Sequence, residues 1–213
     1  DEVGAIKYEV TPLNTSAEIT FLPYVDGGIT NEDTNWDDAF WDVYKTEAQN
    51  DFGYVVSKTN KTEYHVCTGM ISTLFLNNEK LTIAPQENIE ALKATFSYTI
   101  EAKEGETAAI EKMGGYVTSL NYKAENLVEA SLKVLSNASK IGFDALLEKQ
   151  KEAWASIWEM ADVTINGDVK AQQGIRFNIF HLNQTYSGKD ARLNIGPKGF
   201  TGEKYGGSTY WDT

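Results

Sequence analysis

The sequence has little cysteine, proline and positive charge. Its single cysteine, Cys67, cannot form an internal disulfide. Only four prolines occur in 213 residues, so few positions prevent pairing within a sheet. No stretch approaches the ~20 apolar residues of a membrane helix, and we expect no membrane partner. The formal net charge of -12 argues against nucleic acid as a partner, because phosphate backbones are bound by clustered cations. A local site for a phosphate-sized ligand stays compatible with this charge.

Alternating apolar and polar residues predict β-structure from residue 1 to about residue 122. Ile6, Tyr8 and Val10 share one face of the first such run. Asp26-Gly27-Gly28 follows the second run as a turn signal. The predicted strands lie at 5–13, 19–25, 64–72, 94–102 and 108–120. Many strands joined by turns favour an antiparallel sandwich over a parallel sheet.

The periodicity becomes helical near residue 123. One helix is predicted from the apolar stripe Leu127, Ser131, Val134, Leu135 and Ala138. A second helix follows Gly142, and its face is formed by Phe143, Leu147, Gln150, Trp154, Ile157, Trp158 and Ala161. A third helix is predicted to start at the cap Asp168 and to end near Tyr186. We predict a β-sandwich at 1–122, a helical linker at 123–161 and a further α-helical domain beginning at 162–213.

The C-terminal segment 194–213 has no periodicity and is rich in glycine and aromatic residues. It contains five glycines and closes on Tyr210, Trp211 and Asp212. Long loops without regular structure are uncommon in compact domains unless they are functional. An indole offers a flat wall for the C–H face of a pyranose, and a carboxylate accepts hydrogen bonds from adjacent hydroxyls. The segment is therefore compatible with a sugar site, although a Trp-Asp pair also occurs as packed residues in many folds.

The run IRFNIFHLNQTYSGKDARLNIGPKGFTGEKYGGSTYWDT at 175–213 resembles the start of the catalytic domain of glycoside hydrolase family 65. FLPYVDGGITNED (21–33), NWDDAFWDVY (35–44) and FSYTIEAKEGETAAIEKMGGYVTS (96–119) resemble the N-terminal domain of the same enzymes. Within the family the loop is most similar to that of the enzymes that phosphorolyse maltose. The resemblance implies a β-supersandwich of which residues 1–122 are a part, a helical linker at 123–161 and the beginning of an (α/α)6 barrel at 162–213, with the rest of the barrel beyond this chain.

The resemblance also implies a reaction, in which maltose and inorganic phosphate give β-glucose 1-phosphate and glucose. Phosphate is then a co-substrate, and no cofactor is expected. The family's general acid is a glutamate beyond residue 213, so none of these 213 residues is expected to be catalytic and the isolated fragment is expected to be inactive. Trp211 and Asp212 match the residues that bind the glucose unit. Lys204, Tyr205 and Gly206 belong to the possible site loop.

Other functions remain open from the sequence alone. A family relative could act on trehalose, kojibiose or nigerose, or could hydrolyse its substrate, and a non-catalytic carbohydrate-binding β-sandwich is a rival of another class. No metal site is expected, because His65 and His181 lack ligand spacing and Asp37, Asp38 and Asp42 lack a calcium-loop pattern. For the full-length enzyme we expect a homodimer in the cytoplasm that binds a disaccharide and phosphate.

Overall fold

The computed structural model describes residues 2–30 and 40–193. These residues form two compact units, of which the first contains 2–30 and 40–148 and the second contains 149–193. The strands within the described ranges are β1 (Val3–Val10), β2 (Ala17–Phe21), β3 (Tyr24–Asp26), β4 (Trp41–Gln49), β5 (Phe52–Thr59), β6 (His65–Leu76), β7 (Glu79–Leu81), β8 (Gln86–Ile89), β9 (Lys93–Ala102) and β10 (Ala108–Thr118). The helices are a 3-10 turn at Ala124–Asn126, then α1 (Leu127–Ile141), α2 (Phe143–Ala161) and α3 (Val169–Thr185).

The strands of the first unit form two antiparallel sheets. The larger sheet has the order β1-β10-β6-β5-β4, and β7 pairs with β6. The smaller sheet has the order β2-β9-β3, and β8 pairs with β9. Each of these strand pairs within the described residues is antiparallel. The prediction of an antiparallel sandwich is therefore confirmed.

Strand alternation gives the larger sheet two buried faces. On β10, Ala108 and Ile110 pack in the core between the two sheets, whereas Met113 and Val117 pack on the opposite face. The inter-sheet core is completed from several strands, with Phe21, Val25, Val55, Met70, Leu74, Phe96, Tyr98 and Ile100 among its buried members. Burial of apolar surface of this extent is the main contribution that stabilises the unit.

Helix α1 covers the second face of the larger sheet. Its buried residues are Leu127, Ser131, Leu135 and Ala138, four of the five residues of the predicted stripe. They pack with Phe52, Tyr54, Val56, Cys67, Ile71 and Met113. The helical period in the sequence thus identified the face that meets the sheet.

The N-terminus of helix α2 contacts a buried carboxylate of β10. Gly142 has φ +80°, a conformation that residues with a side chain rarely adopt, and Phe143 follows as the first helical residue. The Phe143 N–H donates to Glu111 Oε2 over 3.1 Å. Glu111 is only 8% exposed. A carboxylate at a helix N-terminus satisfies a free N–H group and opposes the positive end of the helix dipole.

The predicted strand boundaries differ from the observed ones in two ways. The run at 19–25 is two strands, because Pro23 interrupts it and its carbonyl instead accepts from Phe96 N over 2.9 Å. Strands β4, β5, β7 and β8 were not predicted. Tight turns at non-glycine residues, with positive φ at Asn50, Asn77 and Asn78, lie at the β4–β5 and β6–β7 connections. Asparagine tolerates this region better than most residues, but asparagine without a glycine beside it is a weak turn signal.

Candidate functional site

The residues predicted to contact sugar are outside the described part of the chain. This applies to Trp211, Asp212 and the possible site loop Lys204, Tyr205 and Gly206. Asp37 and Asp38 also lie outside it. Of the described residues, α3 and the turn that follows it are nearest in sequence to the predicted sugar-binding residues at 204–212, and both belong to the second unit.

Helix α3 has a well-defined start, as predicted from Asp168. The Asp168 carboxylate accepts from the N–H of Ala171 over 2.9 Å, the geometry of an N-cap. Gln172 then binds the preceding loop at two points, since its Oε1 accepts from Ile165 N over 2.7 Å and its Nε2 donates to the Val163 carbonyl over 2.8 Å. The N-terminus of α3 is therefore held both by the Asp168 N-cap and by the two hydrogen bonds of the Gln172 side chain.

An arginine of α3 holds the end of α2. Arg176 donates through Nε and Nη2 to the two oxygens of Asp162, over 2.8 and 2.5 Å. These hydrogen bonds from Arg176 lower the pKa of Asp162, and Asp162 in turn raises the pKa of Arg176. Both groups are solvent-exposed, so screening limits the energetic value of the pair. The two hydrogen bonds still fix the orientation of the Arg176 guanidinium relative to the Asp162 carboxylate. The 14-residue separation carries no sequence signal, and the pair was not predicted.

Aromatic side chains form the contact between α2 and α3. Trp154 stacks on Phe180 with ring centroids 4.7 Å apart, and Trp158 lies 5.9 Å from Trp154. His181 packs against Phe177 at 4.2 Å and Phe180 at 5.3 Å. Trp154 and Trp158 are half-buried rather than fully buried within the described residues. Their ring contacts pack α2 against α3, and His181 is part of the same cluster.

A short polar turn leads from α3 into the C-terminal segment. Gly188 has φ +70° just after the helix. The Asp190 carboxylate accepts from the backbone N–H of Arg192 over 3.0 Å and from its guanidinium over 2.9 and 2.6 Å. These hydrogen bonds lower the pKa of Asp190 to about 2. Asp190 is therefore a structural anion at neutral pH and cannot serve as a general acid there.

The reactive side chains of the first unit have structural partners. Cys67 is 0% exposed, and burial raises the pKa of its thiol to about 11, so it is no nucleophile at neutral pH. His65 Nδ1 and the Tyr44 hydroxyl are 2.9 Å apart. The Tyr54 hydroxyl donates to Glu47, which also pairs with Lys45 over 3.2 Å. Across the described residues, no three His, Cys, Asp or Glu side chains form a group that could hold a metal ion.

Two models of known protein families match this chain, each over a separate range of residues. The model of "Glycosyl hydrolase family 65, N-terminal domain" matches residues 1–157, and that of "Glycosyl hydrolase family 65 central catalytic domain" matches residues 176–213. The chain belongs to glycoside hydrolase family 65. The family assignment made from the sequence is therefore confirmed, and residues 158–175 lie between the two matches.

Several curated family 65 proteins are similar along the whole chain. A maltose phosphorylase of Bacillus subtilis (strain 168) is 37% identical and covers all of this chain. An alpha,alpha-trehalose phosphorylase of Thermoanaerobacter brockii and a kojibiose phosphorylase of Caldanaerobacter subterraneus subsp. tengcongensis are each 31% identical over 99% of it. The chain spans 28% of the length of each of these relatives.

A solved structure has the same fold as this family 65 chain. It is described as "Putative kojibiose phosphorylase from human microbiome", with a TM-score of 0.83 over 99% of this chain and 27% of that one. The sequence identity is 23%, so the likeness supports the fold alone. Among the described helices, none is long and apolar enough to cross a membrane.

Proposed function

We propose that the full-length protein is an inverting disaccharide phosphorylase that cleaves maltose with inorganic phosphate to β-glucose 1-phosphate and glucose. The observation that carries the choice of maltose is 37% identity with a maltose phosphorylase along the entire chain, against 31% for the trehalose and kojibiose phosphorylases. The loop sequence GPKGFTGEKYGG at 196–207 supports the same choice, because it resembles the loop of maltose-cleaving family members.

Phosphorolysis needs fewer catalytic side chains than inverting hydrolysis does. An inverting hydrolase uses one carboxylic acid for the leaving oxygen and one carboxylate to activate water. Phosphate is already an anionic nucleophile, so one general acid suffices when cationic and hydroxyl groups hold the phosphate. We assign that acid to a glutamate after residue 213, together with the phosphate ligands. The barrel that carries them would begin in the segment at 162–213.

Within this chain the proposed contribution is binding of the non-reducing glucose. Asp212 would accept hydrogen bonds from two glucose hydroxyls, and Trp211 would form part of the pocket wall. This proposal rests on the resemblance of Trp211 and Asp212 to the family residues that bind the glucose unit. Lys204, Tyr205 and Gly206 are assigned to the surrounding loop. The full-length protein is proposed to act as a cytoplasmic homodimer.

The test is incubation of the full-length protein with maltose in the presence and absence of phosphate. Glucose release that requires phosphate supports a phosphorylase, whereas equal release without phosphate supports a hydrolase. Parallel reactions with trehalose, kojibiose and nigerose assign the disaccharide. Cleavage of one of these sugars in preference to maltose would overturn the substrate assignment and leave phosphorolysis in place.

A further inference from the structure

The loop between α2 and α3 contains the only Asn-Gly pair of the sequence, Asn166-Gly167. The backbone nitrogen that follows an asparagine can attack the side-chain amide carbon, which closes a five-membered ring. A side chain on the following residue hinders this attack, and glycine has none. Asn166 is therefore the asparagine of this chain at which ring closure meets the least steric resistance.

The local structure leaves both reacting groups of this pair unengaged. Within the described residues, no hydrogen bond holds the Asn166 side chain or the Gly167 N–H. Gly167 has φ +89°, and a Cβ added to it would meet no described atom within 4 Å. The pair lies outside helices and strands, so no helix or ladder hydrogen bond has to break before the Gly167 nitrogen attacks. Because the two groups belong to adjacent residues, the reaction needs no partner other than water.

An Asp-Gly pair at the end of β3 is a contrasting case within the same chain. Asp26-Gly27 could form the same ring, but the Gly27 N–H donates to the Leu92 carbonyl over 2.8 Å. The Asp26 carboxylate accepts from Gly28 N, also over 2.8 Å. A Cβ added to Gly27 would lie 2.7 Å from two valine side chains, so the backbone there is tightly packed. The two pairs thus share a following glycine and differ in whether the attacking nitrogen is already held.

The residues on either side of the Asn-Gly pair are anchored to the first turn of α3. Before the pair, Ile165 N donates to Gln172 Oε1 over 2.7 Å. After it, the Asp168 carboxylate accepts from Ala171 N over 2.9 Å, and the Asp168 carbonyl accepts from Gln172 N over 3.0 Å. The two residues of the pair therefore span two points that are fixed on one turn of the helix.

We propose that Asn166 is a site of spontaneous deamidation, and that its isoaspartate product releases the start of α3. The Gly167 nitrogen bonds to Asn166 Cγ, the Cγ–Nδ2 bond breaks, and the amide leaves as ammonia with the proton of the Gly167 nitrogen. Water then opens the ring by breaking one of its two C–N bonds, and the Gly167 nitrogen regains a proton.

The carbonyl that water attacks decides the product. Attack at the side-chain carbonyl gives aspartate, whereas attack at the main-chain carbonyl gives isoaspartate, whose main chain runs through Cβ and Cγ. Isoaspartate thus adds one carbon to the main chain between Ile165 and Asp168, which displaces either the Gln172 hydrogen bond or the Asp168 N-cap. The reaction is independent of the proposed catalytic activity.

Peptide mapping of the full-length protein, aged at mildly alkaline pH, tests the modification. Mass spectrometry should show conversion of the amide to a carboxyl at Asn166 before any other asparagine of residues 1–213. The rate should rise with pH, because the attacking nitrogen has to lose its proton. Isoaspartyl methyltransferase with radiolabelled S-adenosylmethionine is the probe, and it should methylate the Asn166 peptide but not the Asp26 peptide. Asn166→Gln should abolish methylation of its peptide, since the longer side chain does not form the five-membered ring.

Hydrogen exchange at the start of α3 tests the structural consequence. Protein that carries isoaspartate should exchange the Ala171 amide about fivefold faster than fresh protein, the factor that corresponds to a lost N-cap. Freshly prepared Asn166→Asp adds the charge without the extra main-chain carbon and should exchange like the parent.

Two results would overturn the inference separately. Asn166 could keep its amide as long as asparagines without a following glycine do, as would follow if another part of the full-length chain held the loop, and the modification site would then be wrong. Isoaspartate at residue 166 with unchanged exchange at Ala171 would refute the release of α3.

Discussion

Cys67 shows how position within the sandwich decides the chemistry of a residue. Its side chain belongs to the core beneath α1 and is 0% exposed. Burial disfavours the thiolate, which raises the pKa from its ordinary value of 9.0 to about 11. Because the unfolded thiol ionises first as pH rises, this cysteine contributes stability below about pH 9 that is lost as pH rises towards 11.

We predict that Cys67 resists alkylation in the folded protein. At pH 7.5 its reaction with iodoacetamide should be at least about 100-fold slower than in guanidinium, because a two-unit rise in pKa reduces the thiolate fraction by about that factor. The rate should increase as pH rises above 9. Mass spectrometry of the Cys67 peptide measures the rate. Folded and unfolded rates within a few-fold of each other would show that the core is open at this position.

Asp212 is the residue whose substitution most directly tests sugar binding within this chain. A hydrogen bond to a charged group is worth about 1.5–3 kcal/mol. Asp212→Asn should therefore lower kcat/KM for maltose roughly 10- to 150-fold. Asp212→Ala should cost more, since the sugar hydroxyls would be buried without an acceptor. The loss should include kcat, because these contacts hold the ring as it distorts towards the transition state.

Steady-state kinetics of full-length variants at saturating phosphate provides the measurement for Asp212, with a thermal melt as the folding control. Trp211→Phe serves as a conservative comparison, as it retains an aromatic wall. If folded Asp212→Ala keeps kcat/KM within twofold of the parent, the hydroxyl-binding role is wrong and the Trp-Asp pair is only packed.

Among the elements, β6 and α1 approach closely because of one glycine. A Cβ on Gly69 would lie 2.6 Å from Ser131 Oγ, 2.8 Å from a Phe52 ring carbon and 3.0 Å from a Leu135 methyl carbon. On β10 the directly paired partner of Gly69 is Gly115, where an added Cβ would come within 2.2 Å of the Glu2 carbonyl oxygen, whereas at Gly114 it would meet only a backbone oxygen at 3.9 Å. Two neighbouring glycines of the larger sheet therefore differ, because Gly114 has room for a side chain and Gly115 does not.

We predict that Gly69→Ala destabilises the protein by about 1–3 kcal/mol, because overpacking forces α1 and the Phe52 ring to shift. Gly114→Ala is the matched control, with an expected change within about 0.5 kcal/mol or a slight gain, since alanine lowers the entropy of the unfolded chain. Thermal melts of the two variants measure the difference. A Gly69→Ala variant with the same melting temperature as the parent would contradict the close packing of α1 on β6.

Local periodicity predicted the helices α1, α2 and α3 and the runs that overlap β1, β6, β9 and β10. The α1 stripe and the Asp168 cap followed from the sequence because a helix face and an N-cap are local signals. The family resemblance likewise rested on contiguous motifs. Strands β4 and β5 were missed because no glycine or proline marks the turn at Asn50 between them. The ion pair between Arg176 and Asp162 depends on a contact between residues 14 positions apart, which no local pattern encodes.

At the scale of the whole molecule, the chain is acidic, with a formal net charge of -12, and spans 28% of the length of its curated relatives. Under the proposed function, the general acid and the phosphate ligands lie after residue 213. Residues 1–213 alone should therefore show no phosphate-dependent release of glucose from maltose. The full-length protein assayed in parallel is the control. Phosphate-dependent activity of the shorter chain would show that the catalytic groups lie within residues 1–213.

The central claim is phosphorolysis of maltose with inversion, and proton NMR of the early reaction tests it most directly. The full-length protein is mixed with maltose and phosphate, and the anomeric signal of the glucose 1-phosphate is recorded before equilibration. A single displacement by phosphate at the α-linked carbon predicts the β-anomer, formed in step with glucose. Appearance of the α-anomer, or release of glucose with no sugar phosphate, would contradict the account.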